Sequence, residues 1–265
     1  MSILSGFLFP PPPSLLVIAM SAVSVTSLAY SGLSEIVGKH LNYSKFWDAG
    51  PSKGGGNIRL SSRSGMLLLY TPALLAAVAS FAVPGVVVGT RSRLVSAALA
   101  IHFLKRDFEV LFIHQYSGQM ILDSTLVISL SYFANTATMI YDQYLTQGTS
   151  EPVIDMKYVG VILFLIGIAG NFYHHFLLSK LRKKGEKGYK IPRGGLFELV
   201  ICPHYLFEII GIVGISLISQ TVQGLCFTFG TILYLVGRSY ATRKWYLSKF
   251  ENFPQQVKAL IPYIF

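Results

Sequence analysis

The stretch that decides the fold class is KYVGVILFLIGIAGNFYHHFLLS, residues 157–179. Its one formally charged side chain is Lys157, at the first position, and most of the other residues are aliphatic or aromatic. An α-helix needs roughly 20 such residues to cross the hydrocarbon core of a bilayer. We therefore predict that this stretch is a transmembrane helix.

Six further windows of similar length and composition occur along the chain. They are residues 14–34, 66–88, 94–114, 121–140, 196–219 and 224–248. Together with 157–179 they predict an all-α integral membrane protein with seven transmembrane helices, in which residues 1–265 form a single membrane domain. Charged residues interrupt window 94–114, and an asparagine and several hydroxyl side chains weaken window 121–140, so a count of six spans stays open.

The overall composition excludes several other protein classes. Of the 265 residues, 52% are apolar and only 13% are charged, whereas a soluble domain has about 25% charged residues. The net charge of +10 is spread between long apolar runs. A membrane surface explains this pattern better than nucleic acid does. Both cysteines, Cys202 and Cys226, fall in apolar segments, so no disulfide framework and no cysteine-based zinc site is expected.

The distribution of basic residues predicts the orientation in the membrane. Lysine and arginine gather after the first and fifth windows and in the C-terminal tail, whereas the other connections carry few. Because basic residues favour the cytosolic side, we predict a lumenal N-terminus and a cytosolic C-terminus. The basic residues that carry this prediction are Lys39, Lys45, Lys53, Arg59, Arg63, Arg182, Lys183, Lys184, Lys187, Lys190, Arg193, Arg243, Lys244, Lys249 and Lys258.

Window 94–114 contains ionisable residues at membrane depth. His102, Lys105, Arg106 and Glu109 recur at steps of three and four residues, so they share one helix face, and Lys105 can pair with Glu109. Charged groups inside a span are costly unless they meet a partner or water, which makes them functional candidates. A buried ion pair that serves helix packing is the alternative for Lys105 and Glu109. Arg106 is the stronger functional candidate.

The fifth window carries Asn171, His174 and His175. Adjacent histidines do not share a helix face, and further ligands at metal-site spacing are not evident, so no metal is predicted. The amide of Asn171 can recognise another amide through both its donor and its acceptor. His204 and Glu208 lie one helical turn apart. No G-x-G-x-x-G motif is present, so a dinucleotide would have to bind without a Rossmann domain.

Three longer strings resemble a known family. They are GNFYHHFLLSKLRKKGE, YKIPRGGLFELVICPHYLFEI and GRSYATRKWYLSKFENFPQQVKALIPYIF, between residues 170 and 265. These strings resemble the C-terminal domain of the steroid 5-alpha-reductase family, which includes trans-2-enoyl-CoA reductases and polyprenol reductases. The N-terminal FPPPPS, GLSEI and YSKF resemble plant members. Weaker similarity in IHFLKRDFEVLFIHQYSG, residues 101–118, is closer to the enoyl-CoA reductases.

The resemblance implies a multi-pass protein of the endoplasmic reticulum membrane that binds NADPH between its helices from the cytosolic side. It implies hydride transfer to a conjugated C=C bond, with residues 157–265 as the NADPH-binding part. The positions that match cofactor-lining positions of the family are Arg106, Asn171, Arg182, Tyr189, Lys190, His204, Glu208, Arg238 and Tyr246. His204 replaces the usual asparagine of the steroid enzymes, and Lys190 replaces the usual arginine.

One departure from the family concerns the chemistry. In the steroid reductases an acidic residue just before a Leu-Pro binds the 3-oxo group, and in the matching stretch LLYTP, residues 68–72, Tyr70 stands there. A phenol can still donate a hydrogen bond to a developing enolate oxygen. We therefore predict a catalytic role for Tyr70, with His102 or Tyr246 nearby. The alternative is that Tyr70 is a packing or interfacial aromatic residue.

Several functions follow from these observations. The first is NADPH-dependent reduction of the 4-ene of a 3-oxo-4-ene steroid to the 5-alpha-steroid. The alternatives are a trans-2-enoyl-CoA reductase of fatty-acid elongation, a polyprenol reductase, or a catalytically inactive membrane lipid-binding protein. In each case the expected partners are a hydrophobic small molecule and the lipid bilayer, and no nucleic acid is expected.

Overall fold

The computed structural model describes residues 6–40, 58–116, 118–181 and 188–265. Seven long α-helices run through these residues. They are α1 (Leu15–Ile36), α2 (Ser62–Ser80), α3 (Gly89–Phe108), α4 (Leu122–Leu145), α5 (Lys157–Lys180), α6 (Pro203–Ser219) and α7 (Val222–Lys249). A π-helix follows α3 (Glu109–Ile113), a 3-10 helix precedes α6 (Gly195–Glu198), and two short antiparallel strands pair, β1 (Arg59–Ser61) and β2 (Gln119–Ile121).

The all-α prediction is confirmed, because one α-helix falls in each of the seven predicted windows. Three of these helices, α1, α2 and α5, are long and apolar enough to cross a membrane, and α6 is a shorter apolar helix. The chain is therefore a helical membrane protein. The count of seven crossings and the orientation stay predictions.

The predicted start of the sixth window at residue 196 is wrong, because α6 begins at Pro203. Proline has no backbone N–H and a fixed φ, so it suits the first turn of a helix and not its interior. The residues before it meet the C-terminal tail instead. Backbone N–H groups of Ile201 and Cys202 donate to the carbonyls of Lys258 and Ala259 at 2.8 and 3.1 Å. The C-terminal tail is therefore fixed beside the start of α6 by backbone hydrogen bonds.

Glycines let the helices approach each other closely. A Cβ atom on Gly167 of α5 would lie 2.3 Å from the backbone nitrogen of Gly211 in α6. A Cβ atom on Gly237 of α7 would lie 2.2 Å from the carbonyl oxygen of Gly32 in α1. Small residues at such crossings bring helix backbones into contact, the usual means of helix association in a membrane. The α5–α6 and α1–α7 pairs are the most extensively packed helix pairs.

A buried polar cluster ties α1, α4 and α7 together. The Ser24 hydroxyl donates to Asn135 Oδ1 at 2.6 Å, and Gln223 Nε2 donates to the same oxygen at 3.2 Å. Ser21 donates to Gln223 Oε1 at 2.8 Å. Hydrogen bonds of this kind hold helices in register where no water competes. The asparagine and hydroxyl groups that weaken the fourth window thus serve helix packing.

Proline 72 lies inside α2, two residues after Tyr70. Because Pro72 has no N–H, the carbonyl of Leu68 loses its intrahelical donor. The hydroxyl of Ser129 in α4 donates to this carbonyl at 2.7 Å and replaces the lost bond. On the other side of α2, Thr71 Oγ1 donates to Asp107 Oδ2 of α3 at 3.0 Å. These contacts fix the turn of α2 that carries Tyr70.

Substituting Gly167 tests the close contact between α5 and α6. We expect Gly167→Ala to lower the free energy of unfolding by about 1–3 kcal/mol, because the new methyl group overlaps backbone atoms that cannot turn aside. The measurement is thermal unfolding of the purified protein in detergent. Gly6→Ala is the matched control, because a Cβ atom there would meet nothing within 4 Å. Equal melting temperatures for the two variants would contradict the close packing.

Candidate active site

The candidate site lies where α2, α3, the π-helix, α5 and α6 meet, and buried polar side chains from all five elements converge there. Tyr70 comes from α2, Arg106 from α3, Glu109 from the π-helix, Asn171 from α5 and Glu208 from α6. Such groups are expensive at membrane depth unless they satisfy one another. These side chains do contact one another, and their contacts form two groups that are linked to each other.

The first group joins Tyr70 to Arg106. Arg106 Nη2 donates a hydrogen bond to the Tyr70 hydroxyl oxygen, and the guanidinium carbon lies 4.7 Å from the centre of the Tyr70 ring. Tyr70 is 5% exposed, and its ring packs on Tyr132 at a centroid distance of 5.7 Å. The phenol is thus held by a charged hydrogen bond, a cation–π contact and an aromatic neighbour.

Glu109 is the centre of the charged contacts and is fully buried. Its carboxylate lies 3.1 Å from Lys105 Nζ, 3.2 Å from Arg106 Nη1 and 2.9 Å from His175 Nδ1. The predicted pairing of Lys105 with Glu109 is confirmed. His175 is itself buried beside this carboxylate.

A π-helical turn brings a second histidine to this carboxylate. The backbone N–H of His114 donates to the carbonyl of Glu109, five residues earlier, at 2.7 Å. The His114 ring lies 4.8 Å from that of His175 between centroids. Helical spacing does not predict this contact of His114, because a π-turn departs from the 3.6-residue period of an α-helix. Single π-turns occur frequently at functional sites.

Glu109, His114 and His175 present ligand atoms within 4.8 Å of one another, a spacing that suits a metal ion. The neighbouring charges oppose this interpretation. Lys105 and Arg106 already contact the carboxylate, and their positive charges would repel a third cation. We therefore interpret these residues as a charged hydrogen-bond cluster.

The second group joins α5 to α6 through Asn171. Its Nδ2 donates to the His204 carbonyl at 2.7 Å and to Glu208 Oε2 at 2.8 Å, and its Oδ1 accepts from Lys105. His102 Nε2 lies 3.4 Å from Glu208 Oε1. The residues around Asn171 line a cavity of ≈ 10 Å³, about the space that one water molecule needs. Four predicted site residues thus meet here.

Three other predicted residues gather near the end of α7. The Tyr246 hydroxyl lies 3.5 Å from the carbonyl oxygen of Lys190. The Tyr189 ring packs edge-on against Trp245 at a centroid distance of 4.9 Å, and Trp245 meets Tyr246 in the same way at 5.0 Å. Tyr189, Lys190 and Tyr246 therefore lie side by side, as a common binding surface requires. Arg182 lies outside the described residues.

Arg238 has a partner that the sequence did not reveal. Its Nη1 lies 2.5 Å from Glu35 Oε1, and the second oxygen of Glu35 lies 2.6 Å from His40 Nδ1. Arg238 is 1% exposed. Glu35 is in the last turn of α1, more than 200 residues away in the chain, so no local spacing could have indicated this pair. A buried carboxylate that neutralises Arg238 reduces the charge available to a cofactor phosphate.

Comparisons with known proteins show the family of the chain. Residues 120–265, more than half of the chain, match the family described as 3-oxo-5-alpha-steroid 4-dehydrogenase. The chain belongs to this family. Its members are oxidoreductases that act on CH–CH groups.

Individual relatives in this family differ in how much of the chain they match. The chain is 38% identical over 146 residues to 3-oxo-5-alpha-steroid 4-dehydrogenase 1 of Macaca fascicularis. This match covers 55% of the chain but only 56% of that protein. It is 34% identical over 182 residues to the type 1 enzyme of Mus musculus, covering 69% of it. Similarity to 3-oxo-5-alpha-steroid 4-dehydrogenase 2 of Homo sapiens is 29% over 259 residues and covers 96% of that protein.

The Glu35–Arg238 pair can be tested by a double-mutant cycle. We expect Glu35→Gln or Arg238→Gln alone to destabilise the protein by about 3–5 kcal/mol, because each leaves one buried charge without its counter-charge. The double variant should lose less than the sum of the two single losses. Chemical or thermal unfolding in detergent measures these changes. Additive losses would contradict the pairing.

Proposed function

We propose that the chain is an NADPH-dependent reductase that converts the 4-ene of a 3-oxo-4-ene steroid to the 5-alpha-steroid. Membership of the 3-oxo-5-alpha-steroid 4-dehydrogenase family supports the class of reaction. The structural observation that carries the proposal is the contact between Tyr70 and Arg106, because it holds a buried phenol at the position that the resemblance matches to the 3-oxo-binding acid of the steroid reductases.

The reaction needs three groups at defined positions around the substrate. A hydride donor must face the β carbon, a hydrogen-bond donor must face the carbonyl oxygen, and the α carbon must receive a proton. NADPH, when bound, supplies the hydride. Tyr70 donates a hydrogen bond to the carbonyl oxygen, on which negative charge develops as the double bond is reduced. His102, on the helix that also carries Arg106, is the other candidate near the reacting atoms, whereas Tyr246 lies in the separate group at the end of α7.

The residues of the second group fit an amide-bearing cofactor such as NADPH. Asn171 presents an amide beside the Glu208 carboxylate and the His204 backbone, and a carboxamide would take the place of one of its contacts with His204, Glu208 or Lys105. Lys190 is exposed and offers a positive charge to phosphate groups. Tyr189 offers aromatic surface beside it, whereas Tyr246 is buried behind it. Arg106 and Arg238 fit less well, because each is already held by an internal carboxylate.

The proposed setting is the endoplasmic reticulum membrane, which the chain would cross seven times with its C-terminus in the cytosol. The apolar helices and the family support this setting. The cofactor would then enter from the side that carries the basic connections, whereas the steroid would reach the site from the bilayer.

Removing the Tyr70 hydroxyl tests the catalytic role. We expect Tyr70→Phe to lower kcat for a 3-oxo-4-ene steroid such as progesterone by about 100- to 1,000-fold, the usual cost of losing one donor to a developing oxyanion. Steroid product is measured by mass spectrometry in membranes that carry equal amounts of protein. Tyr158→Phe is the control, because Tyr158 is 64% exposed at the start of α5. Unchanged turnover at saturating substrate in Tyr70→Phe would show that the phenol only packs.

Cofactor binding separates a reductase from an inactive lipid-binding protein. Free NADPH at 100 times its Kd should raise the free energy of unfolding by about 2.7 kcal/mol, because it binds only the folded chain. The melting temperature in detergent with and without NADPH is the measurement. We expect Lys190→Ala to require more NADPH for the same shift, whereas Arg93→Ala, which changes an exposed basic residue near the start of α3, should not. No shift with wild-type protein at any NADPH concentration would favour the lipid-binding alternative.

A second substrate class has two observations in its favour: the phenol in place of the usual acid, and the similarity of residues 101–118 to the enoyl-CoA reductases. A trans-2-enoyl-CoA needs the same hydride and the same donor at its thioester carbonyl. Separate incubations with a 3-oxo-4-ene steroid and a long-chain trans-2-enoyl-CoA distinguish the two. Reduction of the thioester alone would replace the steroid as the proposed substrate.

A further inference from the structure

Arg106 stands between Tyr70 and the Glu109 cluster and contacts both. Its Nη2 reaches the Tyr70 hydroxyl, and its Nη1 lies 3.2 Å from Glu109 Oε2 and 3.4 Å from His175 Nδ1. Both terminal nitrogens are thus engaged with other side chains of the protein. The resemblance to the family implies a position near the cofactor for Arg106, and these contacts give it a different task.

We propose that Arg106 is a positioning residue that acts on the reaction through Tyr70, by holding the phenol oxygen so that the hydroxyl hydrogen is directed to the carbonyl oxygen of the substrate. The inference rests on the proposed function and extends it. In this chain a phenol–guanidinium pair would then bind the carbonyl oxygen, in place of the single acidic side chain that binds the 3-oxo group in the steroid reductases.

The direction of the hydrogen bond supports the assignment. A guanidinium group has five N–H donors and no acceptor, so Arg106 must donate and the phenol oxygen must accept. The contact therefore does not use the hydroxyl hydrogen of Tyr70. The guanidinium also lies over the ring, 4.7 Å from its centre. Together these contacts restrict both the position of the phenol and the rotation of its O–H bond.

The charge of Arg106 also favours the reaction. Addition of the hydride places one hydrogen and two electrons on the β carbon, and the electrons of the C=C bond move towards the carbonyl oxygen. A phenol whose oxygen accepts from a cation is a stronger donor to that oxygen. The α carbon then takes a proton that originates from water, and the carbonyl double bond forms again. The net change is one hydride and one proton added across the C=C bond.

Glu109 and His175 determine where the guanidinium lies. Glu109 neutralises Arg106 on the side away from Tyr70, and the carboxylate is itself held by Lys105 at 3.1 Å and His175 at 2.9 Å. Turning Arg106 towards a cofactor phosphate would break its contacts with Tyr70, Glu109 and His175 together. The same cluster thus keeps the guanidinium directed at the phenol.

A double-mutant cycle on kcat tests the inference. The four proteins are wild type, Tyr70→Phe, Arg106→Gln and the double variant, assayed with NADPH and a 3-oxo-4-ene steroid. We expect Arg106→Gln to lower kcat about 10- to 100-fold when Tyr70 is present, the size expected for a hydrogen bond to a charged group. In the Tyr70→Phe background the same substitution should lower kcat less than about twofold, because its target has gone.

A matched control separates this effect from damage to the Glu109 cluster. Lys105→Gln removes another cation from the same carboxylate, and in the structure Lys105 contacts Glu109 and Asn171. Its effect on kcat should therefore be equal in the Tyr70 and Tyr70→Phe backgrounds. If Arg106→Gln does not fold, Arg106→Lys takes its place, because it keeps the charge beside Glu109 but loses the planar, two-pronged geometry.

Two outcomes would overturn the inference, and they differ from each other. Equal losses from Arg106→Gln in both backgrounds, or an equal weakening of NADPH binding in both, would make Arg106 a structural or cofactor residue and leave the proposed function standing. If wild-type protein reduces neither the steroid nor an enoyl thioester, the proposed function fails and the role of Arg106 fails with it. A loss of kcat that Arg106→Gln causes only in protein that keeps Tyr70 supports the inference.

Discussion

The contact on which the site depends is that between the Arg106 guanidinium and its acceptors inside the helical bundle. A charge at this depth costs several kcal/mol unless an opposite charge and hydrogen-bond partners accompany it. Glu109 supplies the charge, the Tyr70 oxygen supplies an acceptor, and Lys105 and His175 Nδ1 hold the carboxylate. These requirements explain why α2, α3, the π-helix and α5 must approach one another here.

The packing of the other helices serves the same end. Gly167 brings the backbones of α5 and α6 into contact, which places Asn171 within hydrogen-bond distance of Glu208. Pro72 removes one backbone hydrogen bond of α2 beside Tyr70, and the hydroxyl of Ser129 in α4 replaces it. The polar residues at membrane depth thus fall into two kinds. Asn135 and Gln223 join helices to each other, whereas Lys105, Asn171 and Glu208 line the small cavity between α3, α5 and α6.

The sequence predicted the helices well and the contacts between them only in part. The length of apolar runs located all seven helices, and proline chemistry explains why α6 starts at Pro203. Spacing along one helix predicted the Lys105–Glu109 pair, because both partners lie on the same strip of surface. It could not predict Arg106 with Tyr70 or Arg238 with Glu35, because these pairs join distant parts of the chain. The π-turn that carries His114 also breaks the period on which such reasoning relies.

We propose that this chain reduces a conjugated enone by hydride transfer to the β carbon while Tyr70 binds the carbonyl oxygen. The most direct measurement is the position of isotope in the product formed from a 3-oxo-4-ene steroid and NADPH deuterated at the transferred hydrogen. Hydride transfer to the β carbon predicts a 5-alpha product with one deuterium at C5, the β carbon, and a solvent hydrogen at C4. An unchanged steroid in the presence of bound NADPH, or a product without deuterium at C5, would contradict it.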